Sequence, residues 1–412
     1  MNVVKRALTA GVVAVSVVSV AGLIACSPVS DQARQASSES DNISTTLPTQ
    51  AARHTAEDFA DVFPDEVNSF LAGEGQAESE DGGYVHSHAT LAEHVEPMLP
   101  QEGSSMACIA CKSTDFNALY AQDGKQAFAD DAAGYVGNGN YWDCNVCHTD
   151  TPGSTLHPNL VLYQLIGKTA LAQISTEEAV CAQCHNAVGR YGRSWLAGYD
   201  GDLSEIDPYR YGYDPDSLKR AFLEDGVKAN HEDDTGADVF ITQHPDIEIF
   251  QGSVHEQLGL TCVSCHMPEK TNENGNTYTS HDASSTPLEN EEALEFCLSC
   301  HKDQGVASTS EMKAFVEAAE ADLGAKEQVV TGKIAEAKQL LAKATSEGGV
   351  DDVTLEQARE DYATAKWYNV YAHGSAEKAG QKVAHNPTAE RFYQQKAADL
   401  LDRAIASLST LS

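Results

Sequence analysis

Five short segments of this chain carry two cysteines separated by two residues, and a basic side chain follows each pair at once. Four of them read Cys-x-x-Cys-His: Cys144, Cys147 and His148; Cys181, Cys184 and His185; Cys262, Cys265 and His266; and Cys297, Cys300 and His301. The remaining one comes first in the chain and reads Cys108-Ile109-Ala110-Cys111-Lys112. Cys-x-x-Cys-His is the attachment signature of c-type haem: two thioethers hold the porphyrin, and the histidine behind them ligates the iron. Zinc also uses paired Cys-x-x-Cys elements, but it brings them together at short, regular separations. These pairs are instead scattered over roughly half the chain. The spacing therefore predicts five haem c groups, one of them held differently from the rest.

The cysteine count agrees. Of 11 cysteines, ten fall in the five pairs and the last is Cys26. None is left for a disulfide framework or a free nucleophile. A haem with histidine on both faces is saturated, so it passes electrons and binds no substrate. Four motif histidines therefore call for four distal histidines among the other eleven of the 15 in the chain, and spacing alone does not pair them. Lys112 calls for different chemistry. A lysine ligates iron only as the neutral amine, so the metal must displace its proton. The preferred reading of lysine in place of histidine is a five-coordinate haem with an open face where a substrate binds; the alternative is a degenerate motif whose iron takes a histidine from elsewhere in the chain.

The elements that must hold these groups follow from the pattern between them. Lys5 and Arg6 precede an apolar run over 7–23, and Leu23-Ile24-Ala25-Cys26 resembles a bacterial lipobox. That predicts a removed signal segment over 1–25, diacylation of Cys26 and an outward-facing lipoprotein, lipid-anchored to the bacterial membrane on the periplasmic side or cell surface. Residues 26–55 have almost no large apolar side chains and read as a disordered tether. From about Ala56, the apolar residues Phe59, Val62, Phe63, Val67 and Phe70 give an amphipathic pattern that opens a pentahaem region over 56–305. Short helices should carry each cysteine pair, with long irregular loops between them. Residues 306–412 change character: apolar positions at helical spacing predict long helices over 311–345, 355–373 and 388–408, interrupted by Gly348-Gly349. The fold class expected is mainly α, a multihaem cytochrome c with very little strand. With 27 basic against 62 acidic residues, the charge argues against nucleic acid or an anionic membrane surface; it suits a basic redox partner and equally suits plain solubility or a saline habitat.

Met106-Ala107-Cys108-x-x-Cys111-Lys112, the four histidine motifs in order, Gln243-His244-Pro245 and Cys265-His266-Met267-Pro268 together resemble one known family, the pentahaem, ammonia-forming cytochrome c nitrite reductases. Tyr278-Thr279-x-His281, Trp367 and the stretch from His373-Gly374 to His385-Asn386-Pro387 match its landmarks as well. The resemblance runs from about Phe59 to the C-terminus. It implies that Lys112 is proximal ligand of the catalytic haem bound by Cys108 and Cys111. It also implies four distal ligands: His281 for the haem of His148, His88 for that of His185, His385 for that of His266 and His255 for that of His301. His244 would be the distal-pocket group that donates hydrogen bonds and protons to the substrate, and Gln243 belongs to the family's calcium site. A homodimer and a membrane quinol-oxidising cytochrome as electron donor are further implications.

Departures accompany the matches. The family carries a Glu and a Tyr shortly after the third motif; this chain has Asn186-Ala187-Val188 there. The family's Lys two residues before Gln243 is Ile241, and no Arg or Lys lies between His88 and Cys108. These losses put the family's calcium in doubt, with calcium or an Arg left as the occupant of that site, and Arg190, Tyr191 or Arg193 stands by position alone as a replacement for the lost pocket groups. The leading expectation is a reductase of nitrite to ammonium. The alternatives are the same architecture acting on hydroxylamine, sulfite, another nitrogen oxide or an organic acceptor, and a pentahaem electron carrier without turnover.

Overall fold

The computed structural model describes residues 56–72, 110–113, 115–128, 143–148, 156, 161–187, 193–242, 245–283, 286–373, 380 and 382–409. The expected signal segment and tether, Cys26, His88, Cys108, Arg190, Tyr191, Gln243 and His244 lie outside the described residues.

Three long helices close the chain: Thr309–Glu347, Asp352–His373 and Pro387–Ser409. Each has a reason for its bounds. Ser308 caps the first, its side chain accepting the Glu311 N–H at 3.2 Å. Gly348 (φ 72°) and Gly349 (φ 90°) end it with a backbone that side chains resist. The third opens at Pro387, where a missing N–H is harmless, and Asn386 Oδ1 accepts from Ala389 N at 3.1 Å. The helices overrun the predicted ranges by up to three residues at an end, because these caps, and not the outermost apolar residue, set the bounds.

Ala397, Leu401, Ala404 and Leu408 form one buried stripe at helical spacing along the third helix. They meet Val330, Ala337 and Leu341 of the first and Ala358, Tyr362 and Ala365 of the second in a core that continues through Phe222, Phe240, Ile166 and Phe116. The long helices and the segments bearing the first three cysteine pairs thus share one apolar core, while Leu294 and Leu298, beside Cys297 of the fifth, pack with Val306 and Met312 in a smaller one. The second helix is keyed to the segment 213–216: Trp367 Nε1 donates to Pro215 O at 2.7 Å, Tyr371 OH to Tyr213 O at 2.6 Å and Tyr368 OH to Asp216 Oδ1 at 2.6 Å.

The chain is mainly α, and strand among the described residues is confined to two antiparallel pairs. Asn230–Glu232 pairs with Ala237–Val239, and Glu269–Thr271 pairs with Thr277–Thr279. Local structure at the cysteine pairs is less uniform than a helix under each. Cys262–His266 and Glu291–His301 are helices that contain the fourth and fifth motifs, the latter with Cys297 and Cys300 one turn apart. The helix Thr176–Ala182 holds only Cys181 of the third, and Cys144–Val146 is a single 3₁₀ turn. Lys112 sits in a turn before the helix Asp115–Asp123. One turn already brings both sulfurs to the same side, so nothing in the attachment chemistry demands a longer helix. No helix among the described residues is long and apolar enough to cross a membrane.

Candidate haem sites and the Lys112 centre

Three histidine pairs from distant parts of the chain face one another. His148 and His281 have ring centroids 6.4 Å apart, His255 and His301 6.4 Å, and His266 and His385 6.2 Å. Two imidazoles that ligate one metal from opposite sides, each at about 2 Å, hold their ring centroids about 6.3 Å apart. Rings in direct van der Waals stacking would be nearer. The gap is the width of an iron atom with its two bonds, so the donor set fits haem.

Each ring is aimed by its own element. His281 follows the Glu269–Thr271/Thr277–Thr279 hairpin; its Nδ1 donates to Thr279 O at 2.9 Å and its backbone N–H to Ser69 Oγ at 2.9 Å. Ser69 lies on the helix Pro64–Ala72, whose Asp65 also accepts from Asn272 Nδ2 at 2.7 Å. His255 stands on the short helix Val254–Gln257, capped by Ser253, and its Nδ1 donates to Ala384 O at 3.0 Å. In both histidines the Nδ1 bond leaves Nε2 to point at a metal. His385 ends the turn 382–385, its N–H donating to Lys382 O at 2.9 Å. Burial pushes His266 and His385 down to about 4 and lowers His281 and His301 as well, a shift toward the neutral form that ligates metal.

The sulfurs give the order of the sites in space. The Cys111 thiol is pulled down to about 7, first by a hydrogen bond with Cys184, and Cys184 Sγ also lies 3.7 Å from Cys111 O. The first motif therefore abuts the third. Cys181 and Cys262 hydrogen-bond in turn, which drives the Cys262 thiol well up and joins the third motif to the fourth. Burial, and then Cys297, pushes Cys265 up to about 12, which puts the fourth beside the fifth. Within the fifth, burial raises the Cys297 thiol and Cys300, one turn on, adds to the rise. Cys300 Sγ itself accepts from Ser299 Oγ at 3.8 Å, a neighbour that the spacing of the motif did not single out. Gln183 Nε2, within the third motif, donates to Val146 O of the second at 3.2 Å, so the second also adjoins the third. The sequence of neighbours is fifth, fourth, third, first, with the second branching from the third. Lys112, half-buried, stands at the end of that line.

The third motif is also where two acidic residues converge. Asp246 Oδ2 accepts from His185 Nδ1 at 2.8 Å, Asp246 Oδ1 pairs with Lys382, and Ile247 N donates to His185 O at 3.3 Å. Burial alone would raise the Asp246 carboxyl; Lys382 and His185 outweigh it and hold the group well below the usual carboxylate range. Glu248 Oε1 accepts from Ala187 N and from Tyr209 OH, both at 2.6 Å, while Oε2 is buried without a partner. Burial pushes Glu248 up to about 8. Neither acid carries a signal in sequence beyond its place just after His244-Pro245.

Of the residues singled out in the sequence, the structure describes Cys111 and Lys112, the four complete motifs from Cys144 to His148, Cys181 to His185, Cys262 to His266 and Cys297 through Cys300 to His301, and His255, His281 and His385. It brings His255, His281 and His385 each opposite the motif histidine named for it. Arg193 opens the helix Arg193–Gly198.

The sequence profile of the cytochrome c552 family matches residues 83–412. The chain belongs to the cytochrome c552 family. Haem c is the cofactor this family implies. Its curated relatives include cytochrome c-552 of Desulfotalea psychrophila (strain LSv54 / DSM 12343), 27% identical over 286 residues, covering 65% of this chain and 54% of that protein. Another is cytochrome c-552 of Haemophilus ducreyi (strain 35000HP / ATCC 700724), 24% identical over 300 residues, with 68% and 56% covered. The chain thus spans about half the length of the curated relatives it matches. Among solved structures, cytochrome c nitrite reductase of Desulfovibrio desulfuricans ATCC 27774, a catalytic subunit with two calcium sites, superposes with a TM-score of 0.68. Identity is 16%, and 88% of each chain is covered. This member of the cytochrome c552 family has that multihaem fold.

Proposed function

We propose that this chain is an extracytoplasmic multihaem reductase that carries five haem c groups and reduces nitrite to ammonium at the site of Lys112. His148/His281, His266/His385 and His255/His301 would hold three electron-carrying haems, and His185 with His88 would hold a fourth. The haem of Cys108, Cys111 and Lys112 would supply an open iron position for a small oxyanion and deliver electrons to it. Lys112 would hold that iron as a neutral amine. His244 would donate protons to the bound substrate, a task suited to imidazole near neutral pH. The observation that carries the reading is the line of abutting motifs from the fifth to the first, which ends at the one motif without a histidine. Electrons enter that line from a membrane quinol-oxidising cytochrome, the chain is lipid-anchored through Cys26, and it works as a homodimer.

A second reading keeps the architecture and changes the acceptor. It is favoured by Asn186-Ala187-Val188, by Ile241 and by the absence of Arg and Lys between His88 and Cys108, which leave the pocket less suited to an anion. Haem counting with spin-state spectroscopy on the holoprotein tests the proposal. Five haems per chain are expected, four low-spin and one high-spin, with the high-spin signal altered by nitrite. Five low-spin haems would overturn it, and a high-spin signal that ignores nitrite but responds to sulfite would favour the second reading.

A further inference from the structure

Asp246 contacts one candidate haem site directly and a second through Lys382. Its Oδ2 takes the Nδ1 proton side of His185, the third-motif ligand, at 2.8 Å, while Oδ1 pairs with Lys382. Lys382 opens the turn whose carbonyl fixes His385, the residue opposite His266 of the fourth motif. Both partners are mostly buried, each with 16% of its side chain exposed, so water screens the pair little. A carboxylate on the rear nitrogen of a metal-ligating imidazole raises the basicity of the ligand and favours the more positive metal state. A cation beside the neighbouring site does the opposite. His301 offers a contrast, since its Nδ1 is buried with no partner and its basicity is not raised in this way.

We infer that Asp246 and Lys382 form an electrostatic pair that sets the reduction potentials of the two adjacent haems on the third and fourth motifs in opposite directions. Asp246 lowers the potential at His185 through its hydrogen bond. Lys382 raises the potential at His266/His385 and tempers the charge that Asp246 presents to His185. The third motif is the junction at which the second, fourth and first meet, so its potential governs how readily electrons pass on to Lys112. Asp246 and Lys382 are positioning residues that touch no substrate. The inference rests on the haem ligation proposed above and is independent of which acceptor is reduced.

The test is a redox titration of the full holoprotein, followed optically and by low-spin signals at one fixed pH, for Asp246→Asn, Lys382→Met and the double variant. Both single substitutions break the same ion pair, so a purely structural role would move the potentials the same way. The electrostatic role moves them apart: upward in Asp246→Asn, downward in Lys382→Met, with the double variant between. The shift expected is at least tenfold in the oxidised-to-reduced ratio at fixed poise, about 59 mV for a one-electron couple. Asp246→Asn leaves a buried lysine unpaired and is the variant at risk of misfolding. Lys382→Met, in which Asp246 keeps His185 as a partner, is then read beside Lys382→Arg: a couple lowered in the first and restored in the second upholds the inference, and one lowered equally in both overturns it. Unmoved potentials, or shifts of one sign in both variants, with five haems and low-spin spectra retained, would overturn it. If the wild-type protein lacks a low-spin haem at the third motif, it is the proposed ligation that fails, a result separate from either.

Discussion

Replacing Glu248 with Gln should remove a pH dependence that this one buried acid imposes on stability. Glu248 is 2% exposed, and its carboxyl is pushed up to about 8 by burial, which the hydrogen bonds from Tyr209 and Ala187 offset only in part. Its ordinary value is 4.5, which is what the unfolded chain restores. Between those values the native protein keeps a proton that the unfolded chain has lost. The stabilising contribution is thus complete below 4.5 and is lost as pH rises through about 8. A gap of about 3.5 units at roughly 1.4 kcal/mol per unit sets a ceiling of about 5 kcal/mol on the loss. Gln keeps an oxygen acceptor for both Ala187 N–H and Tyr209 OH but does not titrate. Denaturant midpoints of wild-type and Glu248→Gln holoprotein, measured from about pH 5 to pH 9, should diverge, the variant gaining several kcal/mol on the wild type across the range. Parallel curves would refute the reasoning, because they would mean that Glu248 is already ionised and solvated at low pH.

Other substitutions probe the scaffold around the sites. Gly380 has φ +80°, and a Cβ there would fall 2.1 Å from Glu320 O and 2.7 Å from Gly324 N. Gly380→Ala should therefore push the turn 382–385 off the first long helix and cost one low-spin haem, visible as a loss of signal at the His266/His385 site. His281→Ala should open one face of the haem of His148 and convert one equivalent from low-spin to high-spin while the other signals stay. Trp367→Ala removes a fully buried ring and its bond to Pro215 O, and should lower unfolding stability by about 3–5 kcal/mol, read from denaturant midpoints.

Much of this molecule was legible in its sequence because covalent haem chemistry is written as a spacing. The Cys-x-x-Cys elements, the lysine in the first of them and the helical periodicity after 306 required no knowledge of the fold. The facing of His255, His281 and His385 with His301, His148 and His266 was not a matter of spacing, since the partners are 46 to 133 positions apart in the chain; it was implied only by the resemblance to the nitrite reductase family. Asp246, Lys382 and Glu248 could not be read at all. An acid two or four residues after a histidine looks like a solvated helix start, and only the fold turns Asp246 toward His185 and buries Glu248 under Ala187 and Tyr209. The expected helix under every cysteine pair erred toward regularity. It holds for Cys297 and Cys300, but the chemistry asks only for one turn, as at Cys144–Val146.

Ammonium formation from nitrite tests the central claim most directly. Purified holoprotein is supplied with reduced viologen and nitrite, and ammonium is assayed beside Lys112→His and His244→Ala variants. The account predicts ammonium formation by the wild type and its collapse in both variants, since Lys112→His invites a different axial ligand and His244→Ala removes the proton donor. Wild-type protein that holds all five haems and one open site yet forms no ammonium would contradict it, as would a Lys112→His variant as active as the parent.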